Sequence, residues 1–165
     1  MINIAIIDDD KTFCDDFEEQ IKKIDNSYNT DCYYDINTFL ESVSSYNIAI
    51  IDIMLGKDNG IDIASAITEK YPNIKIIFIS VEQDFFQDVY SVNHLYFLVK
   101  PISNEQLKQA LSVCCSEINK QTLYTKLGSG TTAINLNDVS YFEGILKKTI
   151  VHYVNAPKQT LNEPL

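Results

Sequence analysis

Five side chains combine types and positions that could do chemistry together: Asp8, Asp9, Asp52, Ser80 and Lys100. Each ends, or directly follows, a run of branched apolar residues: 2–7 before the acids, 47–51 before Asp52, 74–79 before Ser80 and 96–99 before Lys100. Singly, each reads as a turn or cap residue. Strands that end this way in one parallel sheet would deliver all of them to a single edge, where open α/β sheets keep their chemistry. Carboxylates gathered there repel one another unless a hard divalent cation lies between them. Mg2+ suits such a site, with few carboxylates, a backbone carbonyl and several waters. With the metal bound and the Lys100 ammonium nearby, Asp52 can attack a phosphoryl group, and both cations stabilise charge on the transferring oxygens. Ser80 supplies a hydroxyl that could donate to the new phosphoryl oxygens.

The elements that must position these groups follow from hydrophobic periodicity. The stretch NIAIIDIML, residues 47–55, is apolar ahead of Asp52 apart from Asn47, as suits a central strand buried on both faces. Residues 2–7 read as a first strand, and 31–34 as a short edge strand. Residues 74–79 and 96–99 complete five strands, the last ending at Lys100–Pro101. Between them, Phe13, Phe17, Ile21 and Ile24 give an amphipathic helix over 11–24. Phe39, Leu40 and Val43 mark a second helix, and Ile61, Ala64 and Ile67 a third that stops near Tyr71–Pro72. Phe85, Phe86, Val89 and Tyr90 place a fourth helix over 84–93. Ser103 and Gln106 form a capping box for a fifth that carries Leu107, Leu111, Cys114 and Ile118. Alternating strands and helices imply right-handed crossovers and an α/β, doubly wound parallel sheet covered on both faces.

After residue 119 the period changes. Residues 122–127, 131–136, 139–142 and 149–154 read as short strands without helices, with a turn at Gly128-Ser129-Gly130. From Asn155 the chain is polar and contains proline, which reads as a tail. The charge balance changes at the same place: residues 1–118 carry 20 acidic and 8 basic side chains, residues 119–165 only 3 and 5. Two units with different partners are expected, 1–119 and 122–165, with Gln121 between them. The net charge of −10 argues against nucleic-acid binding over the whole surface. All 13 basic residues are lysines, so anion recognition relies on point charges rather than bidentate forks. Cys14, Cys32, Cys114 and Cys115 lack metal-ligand spacing and read as buried small hydrophobes in a reducing cytosol. With no basic leader and no apolar run near ~18 residues, no membrane span is expected, and the cytoplasm is the expected location.

The segments IAIIDDD, IAIIDIML, IFIS and FLVKPI resemble, in order and spacing, the signatures of bacterial response regulator receiver domains of two-component systems. The resemblance covers residues 1 to about 119 and implies a flavodoxin-like fold. It implies that Asp52 is the phosphoacceptor for a sensor histidine kinase, that Asp9 binds Mg2+ directly and Asp8 through water, and that Met54 offers its backbone carbonyl. It also implies that Ser80 is the switch hydroxyl, Phe97 the switch aromatic and Lys100 the phosphate-binding lysine before a cis Pro101. Phe97 stands where many family members have Tyr, so the ring is kept and the hydroxyl is lost. Such a protein is a phosphorylated signalling partner rather than an enzyme, and it forms a homodimer on phosphorylation.

Residues 122–154, through INLNDVSYFEG, resemble the start of a LytTR-type DNA-binding domain. A whole domain of that type is roughly twice as long, so an incomplete all-β segment with weak or absent DNA binding is expected. Lys147 and Lys148 could touch phosphates, although a solvated face accounts for them as well. Two other functions remain open. Asp8-x-Asp10-x-Thr12, Ser80 and Lys100 also fit the motifs of haloacid-dehalogenase-like phosphatases, but no strand after Lys100 ends in the acid pair that family needs. A receiver acting only by protein contact, with a nonfunctional tail, is the other.

Overall fold

The computed structural model describes residues 1–82, 84–86, 88–120, 122–127, 130–146 and 148–161. The chain divides into two compact units, residues 1–115 and 116–165. The first holds a five-stranded sheet of β1 (Asn3–Ile7), β2 (Asn29–Tyr33), β3 (Ile48–Asp52), β6 (Lys75–Ser80) and β7 (Tyr96–Val99). Its order is β2-β1-β3-β6-β7, with every pairing parallel. The central position of β3 explains its composition: all five residues are buried, so the strand needs apolar side chains on both faces. The edge strand β2 alternates instead, with Thr30 buried and Asn29 and Asp31 exposed.

Each helix is fixed by chemistry visible in its own residues. The helix α1 (Lys11–Ile24) starts where the Asp10 side chain accepts the Phe13 N–H, and it buries Cys14, Phe17 and Ile21 along one stripe. In α2 (Ile36–Ser42) Asp35 caps both Asn37 and Thr38. The loop after β3 contains a two-residue ladder, β4 (Met54–Leu55) against β5 (Asp58–Asn59). Asn59 then caps α3 (Gly60–Lys70) through the Ile61 N–H. The last helix, α4 (Asn104–Lys120), has the expected reciprocal box: Ser103 N–H donates to Gln106 Oε1, and Gln106 N–H to Ser103 Oγ.

One expected element does not form. In place of a helix over 84–93 there are two short 3-10 turns, Asp84–Phe86 and Asp88–Ser91. Their apolar spacing is helical, and Val89 is indeed buried. However, Asp, Ser and aromatic or β-branched residues dominate the stretch, and the Ser91 hydroxyl donates to the Asp88 carbonyl (2.7 Å), a local bond that competes with helix propagation. Gln83, Gln87 and the Phe86 side chain lie outside the described residues.

The second unit pairs β8 (Thr122–Leu127) with β9 (Gly130–Asn135). Separately, β10 (Val139–Ile145), β11 (Lys148–Tyr153) and β12 (Gln159–Leu161) form an antiparallel sheet of order β10-β11-β12. The strand β12 corrects the expectation of a polar tail from Asn155. Leu161 is buried with Ile134 and Val151, and Tyr153 donates its hydroxyl to Gln159 Oε1 (2.7 Å). Opposite Thr149 on β11, Leu161 is the one apolar residue of β12 and joins the buried cluster, although the segment's composition is polar. The turn at Gly128-Ser129, the boundary residue Gln121 and residues 162–165 lie outside the described residues. No described helix is long and apolar enough to cross a membrane.

Candidate functional site

Asp8 follows β1, Asp52 ends β3, Ser80 ends β6 and Lys100 follows β7, so parallel packing brings all four to one edge of the sheet. Three of them meet. Lys100 Nζ lies 2.5 Å from Asp8 Oδ2 and 2.6 Å from Asp52 Oδ2. Asp8 is 1% exposed, Asp52 6% and the Lys100 side chain 13%, so this is a charged cluster largely removed from water. The remaining carboxylate oxygens are held by backbone: Asp10 N–H donates to Asp8 Oδ1, and Met54 N–H to Asp52 Oδ1, both at 3.0 Å.

The electrostatics are lopsided, because two carboxylates share one ammonium. Burial raises the Asp8 carboxyl above its ordinary range, against the opposing pull of its hydrogen bonds to Lys100 and Asp10; the neighbouring Asp52 adds to the rise. Burial works the other way on Lys100, but its bonds to Asp52 and Asp8 outweigh it and hold the ammonium above the usual lysine value. The centre therefore sets two carboxyl groups, both hard oxygen donors, against one ammonium.

The other expected residues are placed as follows. Asp9 is exposed next to Asp8, and its Oδ2 would be 3.7 Å from a Cβ built on Gly56, a loop residue with φ of +59°. The Met54 side chain is exposed, while its backbone N–H holds Asp52. Ser80 is fully buried, but its hydroxyl accepts from the Glu82 N–H (3.1 Å), turned toward its own following loop. Phe97 is half-buried and packs against the core cluster. The Lys100–Pro101 peptide is cis. Of the expected DNA contacts, Lys147 lies outside the described residues, and Lys148 is exposed at the start of β11.

Two contributors were not singled out by the sequence. Phe13 places its ring centroid 3.9 Å from Lys100 Nζ, a cation–π contact that helps to fix the lysine. Its position in the first turn after the acids is the only sequence signal for this. Gly60 starts α3 where a Cβ would come 2.1 Å from the Asp52 carbonyl oxygen. Only glycine lets α3 approach the end of β3 so closely.

A fit to a divalent cation can be judged from the donor set. Among the described residues no three acidic, His or Cys side chains are arranged as a metal cage. Mg2+ does not require one, since it is commonly held by one or two carboxylates and keeps several waters. Two buried carboxyl groups that share one ammonium, with Asp9 beside them, fit that requirement.

Residues 4–112 match the family model described as the response regulator receiver domain. Among curated proteins, the chain is 25% identical over 114 residues to the sensory transduction protein LytT of Bacillus cereus. The match takes in 67% of this chain and 46% of the relative, and the LytT protein of Bacillus anthracis gives the same figures. The chain thus spans about half the length of the curated relatives it matches. Among solved structures, a response regulator receiver domain protein from Clostridium thermocellum aligns with a TM-score of 0.61 at 20% identity, over 73% of this chain and 96% of that one. The response regulator TrrA from Thermotoga maritima, solved in complex with Mg2+ and beryllofluoride, aligns with a TM-score of 0.62 at 21% identity, over 69% and 99%.

Proposed function

Because the chain belongs to the response regulator receiver family, whose model spans residues 4–112, we propose that it accepts a phosphoryl group on Asp52 from a sensor histidine kinase of a two-component system. The observation that carries this reading is the Lys100 ammonium bridging Asp8 and Asp52 in a buried cluster at the end of the central strand. The proposed acceptor is an Asp52 carboxylate oxygen. It attacks phosphorus, the bond from phosphorus to the donor's leaving atom breaks, and the leaving group departs with that electron pair. Lys100 then trades its contact with Asp52 for one with the new phosphoryl oxygens. Ser80 releases the Glu82 N–H and donates to the same oxygens, and Phe97 repacks into the space it vacates.

Asp8, Asp9, Asp52 and the Met54 carbonyl are the groups proposed to hold Mg2+. When bound, the ion supplies charge neutralisation for the phosphoryl oxygens. TrrA, solved with Mg2+ and beryllofluoride, is similar in fold and supports this assignment. A second phosphoryl-dependent property, homodimerisation, is proposed for the face changed by Ser80 and Phe97. Ser80 cannot drive that change alone. One hydrogen bond contributes ~0.5–1.5 kcal/mol, up to ~3 to a charged acceptor. Reversing a 1:99 population needs ~5.5 kcal/mol.

For the output, we propose that residues 122–161 are the first strands of a LytTR-type DNA-binding domain. The INLNDVSYFEG segment and the LytT names of the two curated relatives support this. The receiver reading is tested by intact-protein mass spectrometry after treatment with acetyl phosphate. One added phosphoryl group that requires Mg2+ is expected, with none in Asp52→Asn. Equal labelling of Asp52→Asn would sink the assignment.

A further inference from the structure

Two cysteines stand outside the acid centre yet are wired to it. Cys14, on the buried stripe of α1, donates its S–H to the backbone carbonyl of Asp8 (3.6 Å). Cys32, half-buried in β2, donates to the backbone carbonyl of Cys14 (3.6 Å). The Asp8 N–H in turn bonds the carbonyl of Tyr33, the residue after Cys32 (3.0 Å). Asp8 is therefore held through its carbonyl by one member of the pair and through its N–H by the neighbour of the other.

We propose that Cys32 and Cys14 are a thiol-oxidation site at which a low-molecular-weight disulfide of the glutathione type forms an intramolecular Cys14–Cys32 bond that weakens the acid centre. In the first step the Cys32 thiolate attacks one sulfur of the small disulfide. That S–S bond breaks, and one small thiolate leaves with the electron pair and picks up a proton. In the second step the Cys14 sulfur attacks Cys32 sulfur in the mixed disulfide. The second small thiolate leaves, and the Cys14 proton passes to it. Two protein thiols become one disulfide, and two electrons reduce the reagent to two thiols.

The order of attack follows from exposure. Cys32 is the accessible member, half-buried in β2 with its sulfur against the Cys14 carbonyl. Cys14 is fully buried and can only resolve the mixed disulfide. Bond formation takes the Cys14 S–H away from the Asp8 carbonyl and ties α1 to β2. Disulfides of this kind in a reducing compartment are transient and act as sensors. Cys115 is an internal comparison, since it is half-buried on α4 with its sulfur 3.4 Å from the Tyr28 hydroxyl.

The pairing itself is independent of the phosphoryl-acceptor reading; its effect on labelling rests on that reading. The full chain is incubated with glutathione disulfide, alkylated, digested and mapped without reduction. The expected product is a linked peptide containing Cys14 and Cys32 that dithiothreitol reverses. Acetyl phosphate labelling should slow about three- to tenfold on oxidation, the range set by loss of one hydrogen bond, and recover on reduction. Cys32→Ser should form no link and label at an oxidant-independent rate. Glutathione found only on Cys115, or a link that forms with labelling unchanged, overturns the proposal. If the reduced protein takes no label at all, the phosphoryl-acceptor reading fails separately. The coupling is then read from amide exchange at residues 8–10, which oxidation should speed and which an uncoupled pair would leave unchanged.

Discussion

Asp8 and Asp52 face one ammonium in a place with little water, an arrangement that stability alone would not select. A buried carboxylate raised above its ordinary range costs folding energy once it ionises. For Asp8 the sign is that of any raised group. Its contribution is fully present below the unfolded value of 3.8 and is lost as pH rises through the higher folded value. Asp8→Asn should therefore stabilise the protein at neutral pH by ~0.5–2 kcal/mol, as substitutions at strained functional sites commonly do. It should also flatten the loss of stability that wild type shows as pH rises through that window. Urea unfolding of both proteins across the acid range checks it, and a destabilised variant at pH 7 would contradict it. The residue types at this centre were legible in the sequence, because a polar group after each apolar run is a pattern in one dimension. The hydroxyl direction of Ser80 was not, since it depends on the Glu82 N–H in a loop whose path no periodicity encodes. Phe13 over Lys100 is a contact across the fold and equally out of reach.

At the scale of elements, the strands were read most reliably. Five runs of branched apolar residues became the five strands of one parallel sheet, with ends displaced by a residue or two. The capping box of α4 was also legible, being a local bond between residues three apart. The segment 84–93 was misread because apolar spacing favours a helix there while the backbone-bonding Asp and Ser side chains do not. Gly60 shows what close approach demands of one position. A methyl there meets the Asp52 carbonyl oxygen at 2.1 Å and Ile53 Cα at 3.0 Å, both backbone atoms that cannot swing aside. Gly60→Ala should cost ~1–3 kcal/mol by overpacking. By pushing on the end of β3 it should also slow acetyl phosphate labelling of Asp52. A variant with wild-type unfolding midpoint and labelling rate would show that the end of β3 tolerates the displacement.

Among the described residues, the two units bury very different amounts of apolar side chain. The first unit buries most of its strand residues, whereas the second relies on Ile134, Val151 and Leu161 with Val139, Phe142 and Tyr153 against them. So small a cluster gives marginal protection. Hydrogen exchange should find the amides of β10 and β11 less protected than those of β1, β3 and β6. Leu161→Ala should lower them further, with a cost of ~2–5 kcal/mol to its own unit, and leave the first unit's amides unchanged. Equal protection in the two units would contradict this. The recruitment of β12 was hidden in the sequence because a three-residue strand with one apolar side chain carries no periodic signal.

Asp52 as the proposed phosphoryl acceptor is tested by locating the group on the chain. Reduction of the acetyl phosphate-treated protein with borohydride converts an aspartyl phosphate to homoserine, which peptide mapping then assigns to a position. Homoserine is expected at residue 52, formed only when Mg2+ is supplied. Homoserine at residue 8 instead, the nucleophile of the phosphatase reading, would contradict it.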